Sequence, residues 1–300
     1  MNRLLVVFAI AIFVVCNQAS IAWGSLILLT SPGNCSHVGN LVTNGSFESV
    51  GANGPTGDGV ANQVFWASGT TLAPFGMPPG WSTSGNANSY AVWGNDAAGT
   101  PYRLRDSDPL PDGKYAMYFG NGAHVTTNLP PTFHTDGRVT FPGTPTFIQP
   151  PNFTTSVELW QQIPTASNPA PKYCFSFWAS GEFVQQTSDP LGIFMGIFGL
   201  QVTNVLPGDP VMFLTVPSAP DSPIAGSKRY DFEFVPLNAS QDVIVKFINY
   251  GHFDLTSWGR GPTTELTIDD VMVNGVPEPS SLLMVLACSI VLGHMRRRSD

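Results

Sequence analysis

KYCFSFWASGE (Lys172–Glu182) places an aromatic ring at every second position: Tyr173, Phe175 and Phe177 fall on one side, and Cys174, Ser176 and Trp178 on the other. A period of two belongs to an extended chain, whose successive side chains point to opposite faces. A helix would scatter the three rings around its circumference. The stretch is therefore read as a strand with one face in a core. Working outward, RYDFEFVPL (Arg229–Leu237) sets Tyr230, Phe232 and Phe234 against Asp231 and Glu233 in the same way, and LPDGKYAMYFGNG (Leu110–Gly122) alternates through Tyr115, Met117 and Phe119. SVELWQQIP (Ser156–Pro164), DVIVKFINYG (Asp242–Gly251), TELTIDDVMVNG (Thr264–Gly275) and an aromatic run near Tyr90–Trp93 read as further strands. GIFMGIFGLQV (Gly192–Val202) is apolar throughout, which predicts a central strand. NLVTNGSFES (Asn40–Ser49) predicts the first strand, with Asn44-Gly45 as a turn signal. Helical spacing is nowhere sustained between the two ends of the chain, and 30 Gly and 27 Pro punctuate the short runs. About nine such strands predict an all-β sandwich or barrel. Residues 128–155, with Pro130, Pro131, Pro142, Pro145, Pro150 and Pro151, predict a surface insertion holding at most one short strand, because proline donates nothing to a ladder.

The two ends differ from this body. Arg3, the unbroken apolar run Leu4–Cys16, and small residues at Ser20 and Ala22 predict a secretory signal cut after Ala22. Near the other end, an apolar run from Leu282 to Leu292 is followed by Arg296, Arg297 and Arg298. That run is short beside the roughly 20 residues a spanning helix needs. The arginines would hold the extreme C-terminus on the cytoplasmic side. VPEPSS (Val276–Ser281), the short apolar run and the three arginines together resemble the PEP-CTERM sorting signal of Gram-negative bacteria. The resemblance covers about the last 25 residues. It implies export, a transient membrane anchor, and cutting near Pro277, Glu278 and Pro279 by exosortase, a membrane protease. The cell surface or extracellular space would then be the destination.

Residues 23–279 carry 9 Lys+Arg against 20 Asp+Glu, a net charge of −11. Nucleic acid and anionic lipid both reward clustered Lys and Arg, so neither suits this body. The membrane is expected as a partner only through the tail. Cys35 and Cys174 are the cysteines of the mature region, and there is no CxxC or Cys/His cluster to suggest zinc or redox chemistry. In an oxidising compartment a Cys35–Cys174 disulfide and two free buried thiols both fit.

LVTNGSFE (Leu41–Glu48), ELWQQIP (Glu158–Pro164), YCFSFWA (Tyr173–Ala179) and LTIDDVMV (Leu266–Val273), in this order, resemble the galactose-binding-like jelly roll used by many carbohydrate-binding modules. The likeness spans about 40–275. It leaves 1–22 as signal, 23–39 as an N-terminal linker and 276–300 as the sorting tail with its short hydrophobic helix. It implies a jelly-roll β-sandwich of about 8–10 antiparallel strands, with first and last strands side by side. It also implies a structural calcium at Glu48 and Asp269, with Asn44 and Ser46 as neighbouring oxygens. Calcium takes six to eight oxygen ligands, mixing carboxylates with carbonyls. Asp270 is expected to point elsewhere, since neighbouring strand residues face opposite sides.

Sugar recognition uses flat aromatic faces with a few polar groups. Trp66, Trp81 and Trp258 lie in Gly-, Ser- and Pro-rich surroundings and are the candidate stacking residues; Trp160 and Trp178, inside apolar strands, are expected in the core. There is no G-x-S-x-G and no H-E-x-x-H, and nothing around Glu158 and Glu182 singles them out as a glycosidase pair. The sequence thus predicts an exported, non-catalytic surface protein that binds extracellular polysaccharide. A structural matrix protein and a hydrolase with an unrecognised site are the alternatives.

Overall fold

The computed structural model describes residues 26–31, 33, 35–49, 65–66, 78–84, 90–94, 115–121, 124–126, 131–143, 146–148, 156–183, 195–205, 211–217, 228–254 and 264–276. They form two seven-stranded sheets, each wholly antiparallel, and a small third sheet. From edge to edge the first sheet holds β1 (Leu26–Leu28), β14 (Lys228–Phe234), β11 (Lys172–Phe183), β17 (Thr264–Val276), β5 (Tyr115–Asn121), β4 (Tyr90–Gly94) and β2 (Phe65–Trp66). The second holds β3 (Ser82–Ser84), β10 (Val157–Ile163), β15 (Val243–Asn249), β12 (Met195–Val202), β13 (Val211–Pro217), β8 (Arg138–Thr140) and β7 (Thr132–Phe133). The third is β16 (His252–Asp254), β6 (His124–Thr126) and β9 (Thr146–Ile148).

The chain passes from β10 in one sheet to β11 in the other, back to β12 and β13, across to β14, back to β15, and across to β17. This alternation between facing sheets is a β-sandwich of jelly-roll type. The alternating rings account for it. Tyr173, Phe175, Phe177, Tyr230, Phe232 and Phe234 all point inward and meet Leu159, Phe198, Leu200, Val245 and Phe247 of the second sheet in one core. Phe177 packs edge-on against Phe247 at 4.8 Å between ring centres. GIFMGIFGLQV supplies β12, interior to its sheet between β15 and β13, as its unbroken apolar character predicts.

Three expectations change. Asn40–Ser49 is not a strand. Asn44 and Phe47 adopt positive φ (53° and 56°), curling the segment into turns that drop Val42 and Phe47 into the core. It still lies beside the last strand: Leu41 N–H donates to Val273 O at 2.8 Å, and Val271 N–H donates to Gly45 O at 3.0 Å. The Pro-rich insertion contains three short strands, β7, β8 and β9, rather than at most one, because its prolines fall outside those strands, before β7, between β8 and β9, and after β9. Residues 23–39, expected as linker, include β1, which pairs with β14 at the sheet edge. Among the described residues no helix is long and apolar enough to cross a membrane. The segments expected as signal and sorting tail, with Pro277, Glu278, Pro279, Arg296, Arg297 and Arg298, lie outside the described residues.

Candidate functional site

The outer face of the second sheet gathers aromatic and polar side chains in register. In β10, Val157, Leu159 and Ile163 face the core, so Glu158 and Trp160 face outward. The ladder sets Trp160 opposite Lys246, and Glu158 opposite Ile248. Ile248 in turn lies opposite Gly199 of β12, and Gly199 opposite Phe213 of β13. Lys246 Nζ and Glu158 Oε2 form an ion pair at 3.0 Å, half-buried on both sides. Trp160 is half-buried beside it.

Gly199 is what makes this face flat. A Cβ there would sit 2.8 Å from Tyr250 Cε2 and 2.7 Å from Val211 Cγ1. The Tyr250 ring therefore lies across the strand where a side chain would stand. Its hydroxyl pKa is pushed up to about 12, mainly by burial and secondarily by the nearby Glu158 carboxylate, so the phenol stays a neutral donor and acceptor. Tyr250 leans on Phe213 (5.6 Å between centres), and Phe213 meets Phe141 edge-on at 4.9 Å. The result is a run of rings with a charged pair and the indole of Trp160 beside it. These rings close over a second buried cluster around Val139 and Ile197 and are themselves left half-buried, so the face offers partly covered apolar surface together with donors and acceptors for hydroxyl groups.

Trp160 and Trp178 were expected in the core. Each is instead half-buried on an outer face, because its neighbours in the alternation, Leu159 and Phe177, fill the core. The period-two pattern carried this information, and the size of the indole misled. Trp81 is the opposite correction. It is only 5% exposed and packs between Phe47 (5.1 Å) and Phe247 (6.3 Å), and its indole N–H donates to Asn44 O at 3.0 Å. It closes the core beneath the Asn40–Ser49 turns and offers no free face to a ligand. Trp66 belongs to β2, paired opposite Ala91, rather than to a loop; its side chain and all of Trp258 lie outside the described residues.

Two of the four residues expected at a calcium, Asn44 and Asp269, have hydrogen-bond partners within the protein. Asn44 spends its side chain on Ser49, accepting from Ser49 N–H at 2.8 Å and donating to Ser49 O at 2.7 Å. Asp269 is buried and accepts from Asp270 N–H at 2.7 Å, whereas Glu48 is exposed and Ser46 half-buried. Among the described residues no group of three or more His, Cys, Asp or Glu is placed to hold a metal ion. Asp270 sits where the strict alternation behind its expected orientation is broken. Between Ser176 and Trp178, β11 offers only Phe177 while β17 offers Asp270 and Val271, and Asp270 takes φ 49°. This is a β-bulge with its extra residue in the left-handed region. It leaves both aspartates buried, with His37 Nε2 at 3.5 Å from Asp270 Oδ1.

Cys35 and Cys174 are joined in a disulfide, their Cα atoms 5.6 Å apart. Cys174 faces away from the core, so the bond pins the N-terminal segment across the outside of the first sheet. Asn274 fastens the same segment, accepting from Ser36 N–H at 3.0 Å and donating to Val38 O at 3.1 Å. Ser176 Oγ is buried on this face and has no hydrogen-bond partner among the described residues.

No family model and no curated protein matches the chain. Among solved structures, a Stig cyclase, Fisc, from Fischerella sp. TAU is 14% identical over 84% of this chain and 99% of its own, with a TM-score of 0.39. A family 11 carbohydrate-binding module from Clostridium thermocellum, in complex with a β-1,3-1,4-mixed-linked tetrasaccharide, is 10% identical over 67% of this chain and 91% of its own, with a TM-score of 0.30. A family 22 module of Clostridium thermocellum Xyn10B is 11% identical over 74% and 97%, also at 0.30. Likenesses this distant leave the fold to the strand pairings above and the site to its own side chains.

Proposed function

We propose that this is an exported, non-catalytic surface or extracellular-matrix protein that binds polysaccharide through the outer face of its second sheet. We propose further that an exosortase-type membrane protease processes its tail at Pro277-Glu278-Pro279, releasing it from a transient membrane anchor to the cell surface or medium. The observation that carries the binding reading is the Tyr250 ring laid over Gly199, with Trp160 and the Glu158–Lys246 pair alongside. Pyranose rings present apolar C–H faces and hydroxyl edges, and such a surface offers both kinds of partner. The carboxylate on this face, Glu158, is held by Lys246, which suits orientation of a ligand rather than acid–base work. Trp66 and Trp258 remain proposed as stacking residues, Trp66 from β2 of the first sheet rather than from this face.

The test is mobility of the purified protein in native gels cast with a panel of soluble polysaccharides, with calcium and with chelator. Retardation by one glycan class, lost in Trp160→Ala, supports the reading. Unchanged mobility across the panel overturns it in favour of a structural matrix role. Retardation that survives the chelator removes calcium at Glu48, Asp269, Asn44 and Ser46 from the reading. Release of sugar from the same glycan would instead point to a hydrolase.

A further inference from the structure

The strands of the second sheet are almost bare of charge. β3, β10, β15, β12 and β13 read STS, VELWQQI, VIVKFIN, MGIFGLQV and VMFLTVP. Glu158 and Lys246 are the charged residues of these five strands. The first sheet differs: β14 alone carries Lys228, Arg229, Asp231 and Glu233, and β17 carries Glu265, Asp269 and Asp270. The single anion and the single cation of the five strands both stand on the outer face, in neighbouring strands, and meet at 3.0 Å.

The pair lies inside the sheet rather than at its edge, since β10 and β15 both have strands on either side. One row across the sheet runs Ser82, Trp160, Lys246 and Gln201, each opposite the next. Residues directly opposite stand about 5 Å apart, so a ring stacked on Trp160 lies within reach of Lys246. The Lys246 and Glu158 side chains keep 24% and 23% of their surface open. An ammonium has three donors and a carboxylate about four acceptor sites. A pair joined by one contact can still donate to, and accept from, the hydroxyl groups of a sugar. A carboxylate on the ligand fares differently. To claim Lys246 it must displace Glu158, and a half-buried carboxylate stripped of its partner is costly. Asp242, just ahead of β15, adds another anion beside this face, where it accepts from Gln162 Nε2 at 2.7 Å. The body as a whole, at a net charge of −11, repels an acidic polymer as well.

We propose that this face selects uncharged glycans over acidic ones, and that Glu158 sets the selection by cancelling the charge of Lys246. Glu158 is then a specificity residue. Its carboxylate leaves the pair able to read hydroxyl groups and denies a uronate the cation it would need. Without Glu158 the face would present an unpaired ammonium beside an indole, an arrangement that attracts a carboxylated sugar. The inference deepens the polysaccharide reading and rests on it: that reading puts a glycan on this face, and the charge pair decides which class of glycan.

The test runs the full chain in native gels cast with soluble polysaccharides matched in backbone, uncharged or carboxymethylated. The pairs are hydroxyethyl cellulose with carboxymethyl cellulose, dextran with carboxymethyl dextran, and galactomannan with carboxymethyl galactomannan. The readout is the affinity for the carboxymethylated member divided by that for its uncharged partner. The wild type should be retarded by an uncharged member and little by its carboxymethylated partner. Glu158→Gln keeps the shape of the side chain and removes its charge, and should raise the ratio about threefold or more. Adding Lys246→Met to Glu158→Gln should return the ratio to the wild-type value. Glu233→Gln is the control: it removes a carboxylate from a comparable half-buried pair, with Lys172 at 2.7 Å, on the first sheet, and changes the net charge equally. Its ratio should match the wild type. A wild-type preference for the carboxymethylated member overturns the charge selection and leaves polysaccharide binding standing. So does an unchanged ratio in Glu158→Gln, a rise that survives Lys246→Met, or an equal rise in Glu233→Gln. Retardation by neither member of any pair overturns both.

Discussion

Gly199 decides whether the second sheet has a flat aromatic face. A methyl group there meets Tyr250 and Val211 side-chain atoms well inside contact distance, so Gly199→Ala should tilt the Tyr250 ring off the strand. We expect weakened polysaccharide retardation with a modest loss of melting temperature, read in parallel by gel and by thermal unfolding. Trp160→Ala should abolish retardation at little cost in stability, since a half-buried surface side chain away from caps and core contributes at most about 1 kcal/mol. Trp81 should behave in the opposite way. Its indole fills the core between Phe47 and Phe247, so Trp81→Ala should lower stability by about 3–5 kcal/mol, with the glycan response of the folded fraction unchanged. If Trp81→Ala abolished binding without destabilising the protein, the assignment of core and site would be reversed.

Among the elements, the N-terminal segment is the one the sequence least announces. It runs across the outside of the first sheet, fixed by the Cys35–Cys174 disulfide, by Asn274, and by Asn40, which donates to Val271 O and accepts from Val273 N–H. The disulfide spans 139 residues, and closing so long a loop restricts the unfolded chain strongly. Paired Cys35→Ser and Cys174→Ser should therefore cost about 3–5 kcal/mol, read as a lower urea midpoint at pH 7. Part of β17 was legible. In LTIDDVMV the inward positions run Leu266, Ile268, then Val271 and Val273, a slip of one residue that marks the bulge at Asp270. The slip is visible in the sequence once both pairs are known to share a face, and strict alternation missed it. The turns of Asn40–Ser49 had no such signal, because left-handed φ at Asn44 and Phe47 is imposed by the core that receives Phe47.

For the whole molecule, buried tyrosines set the alkaline limit. Burial raises the Tyr173, Tyr230 and Tyr250 phenols above the ordinary value of about 10. The folded state then holds protons that the unfolded chain releases, so the stabilisation is complete below pH 10 and is lost as pH rises through the folded values. Melting temperature should be level from about pH 8 to 10 and fall beyond it. In Tyr250→Phe, whose ring cannot ionise, the fall between about pH 10 and 12 should be shallower. An identical alkaline slope in that variant would show that Tyr250 titrates as an exposed residue.

The sequence by itself determined the class of fold and the inward faces of the strands. Period-two aromatic patterning is a local property of an extended chain, and it survives into the core as Tyr173, Phe175, Phe177, Tyr230, Phe232 and Phe234. It also determined the acidic charge balance and the two apolar ends. Only the tertiary structure decided which tryptophan is core and which is surface, that Cys35 reaches Cys174, and that Glu158 meets Lys246. Those facts depend on which strands become neighbours. Neighbours far apart in the chain are chosen by how the two sheets fill one core, and no local pattern of residues records that choice.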